Sequence, residues 1–499
     1  MVNHLPHFSV RNLVAAIFIV IASMQLLFFA FLGYSGIVIA GAGVALGLIA
    51  IAIRQMPGWD KATGISFRLL IIAAIISLII FVLAGEGRFF YANSDWTVRN
   101  AVLRDLVTYH WPFVYDAPDG NLLLRLPIGM YLAPALIGKL FGFYAAELAM
   151  LFQNSLLLTL IFALGAALYT STRNRMIALA VFVGFSGMDI IGQFLTKRQL
   201  TLHFEQWAGP QYSAHLTQAF WVPQHAMAGW VFAILYLLWV EKRAPRVAMF
   251  AIAPLLALFS PLALIGCVPF AIHAGIVGLR DRSLSKQDVL LPLIVVMIAV
   301  PSLLYLTAAG ESVGGGASKL RFAAYISFIV FELGLYLFAL FLLRGRVGFG
   351  RVTTAITIGM LLVLPFGQIG GATDLVMRAS IPALATFSLT IAGIFMQPRN
   401  AADKNAVKAR LVALIAFLIG LATQLGEIVR AVTYPASPEM KCSYMGIVPG
   451  GAPTYVARLD RMPSLVAPIN PTSVKPIDPL KCWEGQWPDA VTGRETIVG

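Results

Sequence analysis

Charged residues are scarce in this sequence. Only 12% of its 499 residues are Asp, Glu, Lys or Arg, while 59% are apolar. A soluble domain carries about 25% charged residues because water must solvate its surface. Apolar runs of about 18 residues or more recur along the chain, and each is long enough to cross a hydrocarbon core of about 30 Å. The composition therefore excludes an ordinary soluble protein and predicts an all-α, polytopic membrane protein.

Cysteines are few, and zinc-binding motifs are missing. Cys267 lies inside an apolar run and is predicted to be a packing residue. Cys442 and Cys482 lie in the polar C-terminal tail and are candidates for a disulfide if that tail is extracytoplasmic. The histidine and acid spacings match neither HExxH nor another zinc pattern, so no structural metal is expected. The chain also lacks a convincing internal repeat, which argues against an inverted-repeat transporter.

The excess of basic residues is spread along the chain. The 36 Lys and Arg against 23 Asp and Glu give a formal net charge of +13. These basic residues lie in short loops between apolar runs, which is typical of membrane topology and argues against nucleic acid as a partner. The apolar runs predict thirteen spans, at about 12–34, 36–53, 68–84, 143–170, 176–195, 225–240, 246–260, 262–279, 288–307, 322–343, 353–370, 379–396 and 411–432.

The charge distribution predicts the orientation of these spans. With a cytoplasmic N-terminus, all the short basic loops fall on the cytoplasmic side, which is the preferred arrangement. These loops carry Arg54, Lys61 and Arg68; Arg173 and Arg175; Lys242, Arg243 and Arg246; Arg280, Arg282 and Lys286; Arg344, Arg346 and Arg351; and Arg399, Lys404, Lys408 and Arg410. The C-terminus is then extracytoplasmic, as expected for a protein of the bacterial inner membrane.

The same distribution bears on two ambiguous segments. Residues 127–142 are apolar but short, and counting them as a span would move every later basic loop outside, so we predict an interfacial or re-entrant helix. The pair 246–260 and 262–279 must return to its starting side, either by crossing twice or by dipping into the membrane. The predicted domains are a helical domain, 1–432, with interfacial helices in outer loop 85–142, and a small, loop-rich extracytoplasmic tail, 433–499.

The first large outer loop contains a candidate catalytic acid. Ser94 and Asp95 precede a stretch with apolar residues at helical spacing, and Arg99 follows Asp95 by four positions. Asp95 is therefore either a general base or metal ligand that faces a cavity, or, with Ser94, the N-cap of an interfacial helix.

The second outer loop is unusually rich in histidines, amides and aromatics. Its polar and aromatic residues are His203, Glu205, Gln206, Trp207, Gln211, Tyr212, His215, Trp221, Gln224 and His225. Aromatic faces beside amides and acids are typical of sugar sites, where rings stack and side chains bond hydroxyl groups.

A third outer segment combines a helix break with an ion pair. Gly370 and Gly371 interrupt the apolar run, and Asp374 and Arg378 follow. An arginine at the mouth of a span is suited to hold a phosphate or diphosphate through forked hydrogen bonds. The alternative is that Arg378 snorkels to the interface or pairs with Asp374.

Two ionisable residues inside predicted spans, Asp189 and Glu427, lie in the outer half of the membrane, whereas Glu332 lies closer to its middle. At 1.5 Å per residue, Asp189 is about 21 Å above Arg175, and Glu427 is about 25 Å above Arg410. Such groups are costly in lipid and mark functional sites. The predicted site therefore opens outward, with Asp189, Gln193, Gln368 and Glu427 near the outer loops.

These features resemble the GT-C class of membrane glycosyltransferases. The resemblance rests on the outer Asp, the re-entrant helix behind it, about thirteen spans, the aromatic outer loop, the late basic residue and the outer cap. It implies transfer of a sugar from a polyprenyl-phosphate donor to an extracytoplasmic glycan, lipid or protein. The segments SDWxxRNAVLRDL, FSGMDIIG, WVPQHA and TDLVMRASIPAL are also similar to those of uncharacterised bacterial membrane proteins.

The resemblance implies a role for each candidate residue. Asp95 would deprotonate the acceptor hydroxyl, with inversion at the anomeric carbon, and Arg378 would bind the leaving phosphate. Asp105, Glu205 or His225 would position the acceptor or a divalent ion, with Asp189 behind them. The full predicted binding set is Arg378, Asp374, Arg99, Asp105, Glu205, Gln224, His225, Trp221 and Asp189.

Three alternatives remain open. The first is a polysaccharide polymerase or ligase that uses diphosphate-linked donors, with His225 and Arg198 as its basic residues. The second is a lipid or solute transporter, and the third is a membrane scaffold without chemistry.

Overall fold

The structure is a computed structural model that describes residues 7–60, 64–198, 200–310, 313–344, 346, 348–369, 373–398, 402–485 and 487, and 67% of it is helical. The helices are α1 Val10–Phe31, α2 Gly36–Gln55, α3 Phe67–Leu83, α4 Asp95–Thr108, α5 Gly129–Phe141, α6 Phe143–Ala166, α7 Thr172–Gly184, α8 Asp189–Lys197, α9 His215–Trp221, α10 Pro223–Val240, α11 Val247–Ile252, α12 Pro261–Arg280, α13 Lys286–Thr307, α14 Phe322–Ile329, α15 Leu335–Leu342, α16 Arg351–Val363, α17 Asp374–Ala379, α18 Ile381–Met396, α19 Lys404–Thr433 and α20 Tyr444–Ile447. Short 3-10 turns cover Glu86–Arg88, Ala253–Leu258, Leu364–Phe366 and Leu459–Arg461, and a π-helical turn, Val330–Gly334, joins α14 to α15. The strands are β1 His7–Ser9, β2 Gly64–Ser66, β3 Phe113–Tyr115, β4 Leu122–Leu124, β5 Gly315–Ala317, β6 Gly367–Ile369, β7 Val456–Arg458 and β8 Thr472–Val474.

The chain is a membrane-embedded helical protein. Within the described residues, nine helical segments are long and apolar enough to cross a membrane: Val10–Phe31, Gly36–Gln55, Phe143–Ala166, Thr172–Lys197, Pro223–Val240, Pro261–Arg280, Lys286–Thr307, Phe322–Leu342 and Lys404–Thr433. The other four predicted spans coincide with shorter apolar helices, Phe67–Leu83, Val247–Leu258, Arg351–Phe366 and Ile381–Met396. The count of thirteen therefore stays a prediction.

The basic loops meet at one end of the helical body, which we call the basic end. Strand β1 pairs antiparallel with β2, and Arg175 Nη2 donates to the Gly64 carbonyl at 3.5 Å. The Asp60 amide donates to the Arg243 carbonyl at 3.1 Å, and Arg346 pairs with Asp403. Two of the basic loop residues, Lys61 and Arg399, lie outside the described residues.

The remaining large loops meet at the opposite end, which we call the site end. Asn93 Nδ2 donates to the Phe220 carbonyl at 2.9 Å, so the first large loop contacts the end of α9. Strands β5 and β6 pair antiparallel, and the Ile469 amide of the tail donates to the Leu32 carbonyl at 2.9 Å. Gly370 and Gly371, the predicted helix break, lie outside the described residues.

The two ambiguous segments take different courses. The chain from α11 runs to Ser260 at the site end, where Ser260 bonds His225, and α12 returns to the basic end, where Arg246 bonds Ser283. This pair therefore passes through the helical body twice. Helix α5 keeps both ends at the site end, because Gly129 packs against Leu258 and Lys139 Nζ donates to the Val107 carbonyl at 3.2 Å.

The tail shares a sheet with the first large loop. Its strand β7 pairs with β4 and its strand β8 pairs with β3, which gives the strand order β7-β4-β3-β8. A disulfide joins Cys442 to Cys482, and Cys267 is a free, buried cysteine. The predicted domain boundary coincides with the end of α19, but the sheet takes strands from both sides of that boundary.

Candidate functional site

A cavity of about 380 Å³ lies at the site end, and we call it the mouth cavity. It is within the usual size range for small-molecule sites, about 300–1,000 Å³. Its polar and aromatic lining residues are Arg125, Gln224, His225, Thr307, Asp374, Arg378, Thr454 and Tyr455, and its apolar lining includes Leu262, Ile265, Leu306, Val313 and Ile369. The structure thus brings four predicted site residues, Gln224, His225, Asp374 and Arg378, to one cavity.

Asp374 and Arg378 form an ion pair on α17. The helix begins at Asp374, where a carboxylate is favoured by the free N–H groups of the first turn. Arg378 Nη1 lies 3.1 Å from Asp374 Oδ2. The Arg378 Nε is buried and has no hydrogen-bond acceptor among the described residues. Arg378 therefore pairs with Asp374 while its side chain lines the mouth cavity.

A second Asp–Arg pair has the same spacing on α4. Arg99 Nη2 lies 3.2 Å from Asp95 Oδ2, and Asp95 is 45% exposed while Arg99 is 3% exposed. The helix begins at Asp95, but Ser94 makes no side-chain cap, and it is Asn93 Oδ1 that accepts from the Asp95 amide at 3.1 Å. The structure therefore does not use the Asp95 carboxylate as an N-cap acceptor.

Tyr455 lies within electrostatic reach of both Asp–Arg pairs. The charges of Asp95 and Arg99 and those of Asp374 and Arg378 all act on its hydroxyl, and burial raises the pKa of Tyr455. The charge of Arg99 also reaches His225. These interactions place the α4 pair next to the mouth cavity, although neither member lines it.

His225 and Gln224 form the α10 side of the cavity. The His225 Nδ1 is 2.7 Å from Ser260 Oγ, which also accepts the Ala263 amide at 3.0 Å as the cap of α12. This bond fixes the imidazole ring and leaves its Nε2 for other partners. The Gln224 Oε1 is buried without a donor among the residues that the structure describes.

Arg125 and Tyr455 are among the cavity residues that were not predicted from the sequence. Arg125 donates from Nη1 to the Leu306 carbonyl at 2.8 Å and from Nη2 to the Pro453 carbonyl. Its amide donates to the Tyr455 carbonyl at 2.6 Å. Arg125 thus fastens α13 and the tail around the cavity. No local sequence signal identifies Arg125 or Tyr455, because their positions depend on the pairing of β4 with β7.

Asp105, a predicted site residue, lies at the joint between the first large loop and the tail instead. Its Oδ2 accepts from the Tyr115 hydroxyl at 2.5 Å and from the Tyr444 amide at 2.8 Å. Burial raises the pKa of Asp105 to about 7, in spite of the opposing hydrogen bond from Tyr115. Its contacts tie α4 to β3 and α20 and leave it away from the mouth cavity.

Four further carboxylates form a separate cluster, the acidic core: Asp189, Glu205, Glu332 and Glu427. Asp189 follows the break between α7 and α8, and its oxygens accept from Ser186 Oγ at 2.8 Å and from Trp207 Nε1 and Thr423 Oγ1, each at 3.1 Å. Glu332, in the π-helical turn, packs against Gly187, where a Cβ would collide with its carboxylate.

Glu205 also belongs to this core. Its two oxygens accept from the Ala214 amide and from Gln211 Nε2, each at 2.7 Å. Burial raises the pKa of Glu205 to about 7, and the nearby charge of Asp189 adds to that effect.

Glu427 is the most heavily bonded acid of the core. It lies 2.6 Å from His203 Nδ1, accepts from Trp221 Nε1 at 3.1 Å and contacts Arg430 Nη1 at 3.4 Å. Burial lowers the pKa of His203, but the hydrogen bond and charge of Glu427 more than offset it, so that pKa lies above its ordinary value. Asp189, Glu205 and Trp221, which were predicted to bind substrate, are thus bonded within the protein and do not line the mouth cavity.

The described part of the chain contains no set of side chains suited to hold a metal ion. No group of three or more His, Cys, Asp or Glu side chains there is arranged to hold a metal ion. The divalent-ion role predicted for Asp105, Glu205 or His225 is therefore without partner ligands in that part.

Comparison of the chain with protein-family models, with curated proteins and with solved structures finds no match.

Proposed function

We propose that this protein is a membrane glycosyltransferase of the bacterial inner membrane. It would transfer a sugar from a polyprenyl-phosphate donor to an extracytoplasmic glycan, lipid or protein. The observation that supports this proposal is the mouth cavity, where Arg378 and His225 face an apolar wall and the Asp95–Arg99 pair lies next to them.

The cavity suits a donor with an anionic head and an apolar tail. Arg378 offers guanidinium N–H groups to a phosphate, and charge-assisted bonds of this kind are strong. Apolar residues of α12, Leu262 and Ile265, line the same cavity, and Ile265 is 43% exposed. A prenyl chain would lie along this exposed face while its phosphate reaches Arg378.

Asp95 is the proposed general base. Its carboxylate is open to solvent and is held in place by Arg99 rather than by backbone N–H groups. In the proposed step, Asp95 takes the proton of the acceptor hydroxyl while that oxygen bonds to the anomeric carbon. The bond from the anomeric carbon to the phosphate oxygen breaks with inversion, and Arg378 stabilises the negative charge on the leaving phosphate.

The charge of the loops sets the proposed orientation. The basic end would lie in the cytoplasm, because short cytoplasmic loops carry an excess of Lys and Arg. The mouth cavity and the tail would then face the extracytoplasmic side, an oxidising setting in which the Cys442–Cys482 disulfide persists.

Transfer by the purified protein in proteoliposomes is the test. Labelled polyprenyl-phosphate sugars are supplied with extracytoplasmic acceptors, and the labelled product is measured over time. We expect transfer by the wild type and its loss in Asp95→Asn and Arg378→Ala. Full activity in both variants would overturn the site assignment, and movement of intact donor across the bilayer without bond cleavage would identify a transporter instead.

A diphosphate-linked donor is the second candidate. Two basic side chains, Arg378 and His225, line the same cavity and could each bond one phosphate. Arg198, the other basic residue predicted for this alternative, is the C-cap of α8 and does not line the cavity. Exchange of the monophosphate donor for the diphosphate donor in the same assay separates the two candidates.

A further inference from the structure

A second polar cavity, of about 440 Å³, lies at the basic end between α10, α12 and α16, and we call it the basic cavity. Three cationic side chains line it, Lys242, Arg246 and Arg351. Asp281 is the carboxylate that lines it within the described residues, and its Oδ1 already pairs with Arg280 Nε at 2.9 Å. Among the described residues, the lining of the basic cavity therefore carries more positive than negative charge.

Arg246 is held in place by a hydrogen bond and by packing, and one of its nitrogens has no acceptor among the described residues. Its Nη2 donates to Ser283 Oγ at 2.7 Å, and its guanidinium lies 5.9 Å above the Trp239 ring. The side chain packs on Gly278, where a Cβ would collide with Nη1. That Nη1 is buried and has no acceptor among the described residues. The protein thus fixes a guanidinium at the cavity and leaves one of its nitrogens without a bond.

The N-terminus of α16 adds to the positive potential. Gly350, Arg351, Val352 and Thr353, the first residues of that helix, all line the basic cavity. This end has no side-chain cap and no acidic residue in its first turn, so its N–H groups are not neutralised by the helix itself. Free N–H groups at a helix N-terminus favour an anion, in particular a phosphate, and here they lie beside three cations.

Apolar surface next to the basic cavity indicates that the anion belongs to a molecule with apolar chains. On α12, Ile276 is 57% exposed, and on α16, Val352 is 54% exposed. Ile276 belongs to a helix long and apolar enough to cross a membrane, and Val352 belongs to a shorter apolar helix, so acyl chains can lie along these faces. An anionic head group in the basic cavity with chains on these faces is the geometry of a phospholipid.

We propose that the basic cavity binds the phosphate of an anionic phospholipid from the leaflet at the basic end. The proposal does not depend on the glycosyltransferase activity, because the basic cavity lies at the end of the helical body opposite to the mouth cavity. Phosphatidylglycerol carries the required anionic phosphodiester, whereas phosphatidylcholine has the same chains with a zwitterionic head.

Lipid binding to the full-length protein in detergent tests the proposal. Dioleoyl phosphatidylglycerol, dioleoyl phosphatidylcholine and inorganic phosphate are titrated separately, and bound lipid is counted by native mass spectrometry. We expect the phosphatidylglycerol to bind at least about fivefold more tightly than the phosphatidylcholine. The substitutions Lys242→Gln and Arg351→Gln should each weaken its binding about fivefold, since a Lys or Arg near an anionic head group contributes about that factor.

The control is Arg11→Gln, which removes an exposed charge of α1 at the same end but outside the basic cavity. It should leave the affinity for phosphatidylglycerol unchanged. Lys242 and Arg351 are exposed, so these two substitutions preserve the packing that Arg246 supports. An equal loss in the control, or equal affinities for the two lipids, would overturn the proposal. Inorganic phosphate that competes with the lipid at the same concentration would overturn the assignment to a lipid.

Discussion

The mouth cavity and the acidic core both collect ionisable side chains, but they use them in opposite ways. In the core, Glu427 is 3% exposed and is bonded by His203, Trp221 and Arg430. Next to the cavity, Asp95 is half-exposed and has one charged partner, Arg99. A carboxylate whose bonds are all made within the protein contributes to folding, whereas one that is still open to solvent can accept a proton from a substrate.

The comparison predicts different effects for substitutions in the two regions. Substitutions beside the cavity should lower transfer and change the free energy of unfolding less than substitutions in the core do. Substitutions in the core should lower the free energy of unfolding, because they leave buried charges without partners.

The largest expected effect is that of Asp95→Asn on transfer. Loss of a general base lowers a rate by about 100-fold to 10,000-fold. The melting temperature should fall less than in the core variants, because the Asp95 side chain is half-exposed and an asparagine oxygen can still accept from the buried Arg99. Initial rates in proteoliposomes and thermal unfolding in detergent give the two readouts. Asp119→Asn, an exposed acid of the same loop, is the matched control, and a similar rate loss there would contradict the assignment.

Glu427→Gln should have the largest effect on stability. The substitution leaves His203 and Arg430 buried without their carboxylate, and removal of one member of a buried pair costs about 3–5 kcal/mol. Thermal unfolding in detergent measures the change. Glu484→Gln, which removes an exposed partner of Lys441, should shift the free energy of unfolding by no more than about 0.5 kcal/mol. A Glu427→Gln protein as stable as the wild type would remove the distinction between the core and the cavity.

Arg378→Gln should lower the transfer rate by about 100-fold, the loss that follows removal of one donor to a developing negative charge. The effect should fall on the turnover number more than on the acceptor KM, because Arg378 is assigned to the leaving phosphate. Steady-state kinetics with varied donor and acceptor distinguish the two. Lys475→Gln, an exposed cation of the tail, should leave both constants unchanged. A change confined to the acceptor KM would instead assign Arg378 to the acceptor.

The smallest expected effect is that of Asp105, at the joint between the first large loop and the tail, on the pH dependence of the free energy of unfolding. Burial raises its folded-state pKa to about 7, against an ordinary value of about 3.9, so the folded protein binds this proton more tightly than the unfolded chain does. The contribution of Asp105 to the free energy of unfolding is full below about pH 4 and is lost as the pH rises to 7. The loss between pH 5.5 and 7.5 is about 2 kcal/mol.

Asp105→Asn should remove this share of the pH dependence, since its amide oxygen can still accept from Tyr115 and Tyr444. Melting temperatures at pH 5.5, 6.5 and 7.5 provide the measurement, with Asp119→Asn again as the exposed control. A variant with the same decrease as the wild type across this range would show that Asp105 does not titrate there.

Much of the fold follows from the sequence, because long apolar runs have few stable conformations in a membrane. Each of the thirteen predicted spans coincides with helix, and the described basic loops do meet at one end. The interruptions inside two of these spans, at 185–188 and at the π-helical turn, were not predicted. Neither stretch carries a proline, and their backbone is satisfied by distant partners such as the Phe331 carbonyl, which accepts the Met188 amide at 2.9 Å.

The site could be predicted only in part. Gln224, His225, Asp374 and Arg378 were identified as polar residues of the outer segments, and the structure brings them together. The polar and aromatic content of the second outer loop also selected Glu205 and Trp221, and an ionisable group inside a span selected Asp189, since a sequence does not show which polar groups find partners inside the protein. Tyr455 could not be found, because it reaches the cavity through strands of only three residues whose partners are remote in the chain.

The pairing of β4 with β7 also orders events during biosynthesis. Arg125 contacts Pro453, a residue 328 positions later in the chain, and Tyr455 follows two residues beyond it. The ribosome therefore completes every helix through α19 before the last wall of the mouth cavity emerges. A protein still held by the insertion machinery therefore lacks the wall that Tyr455 contributes, and the mouth cavity is complete only when β7 has paired with β4.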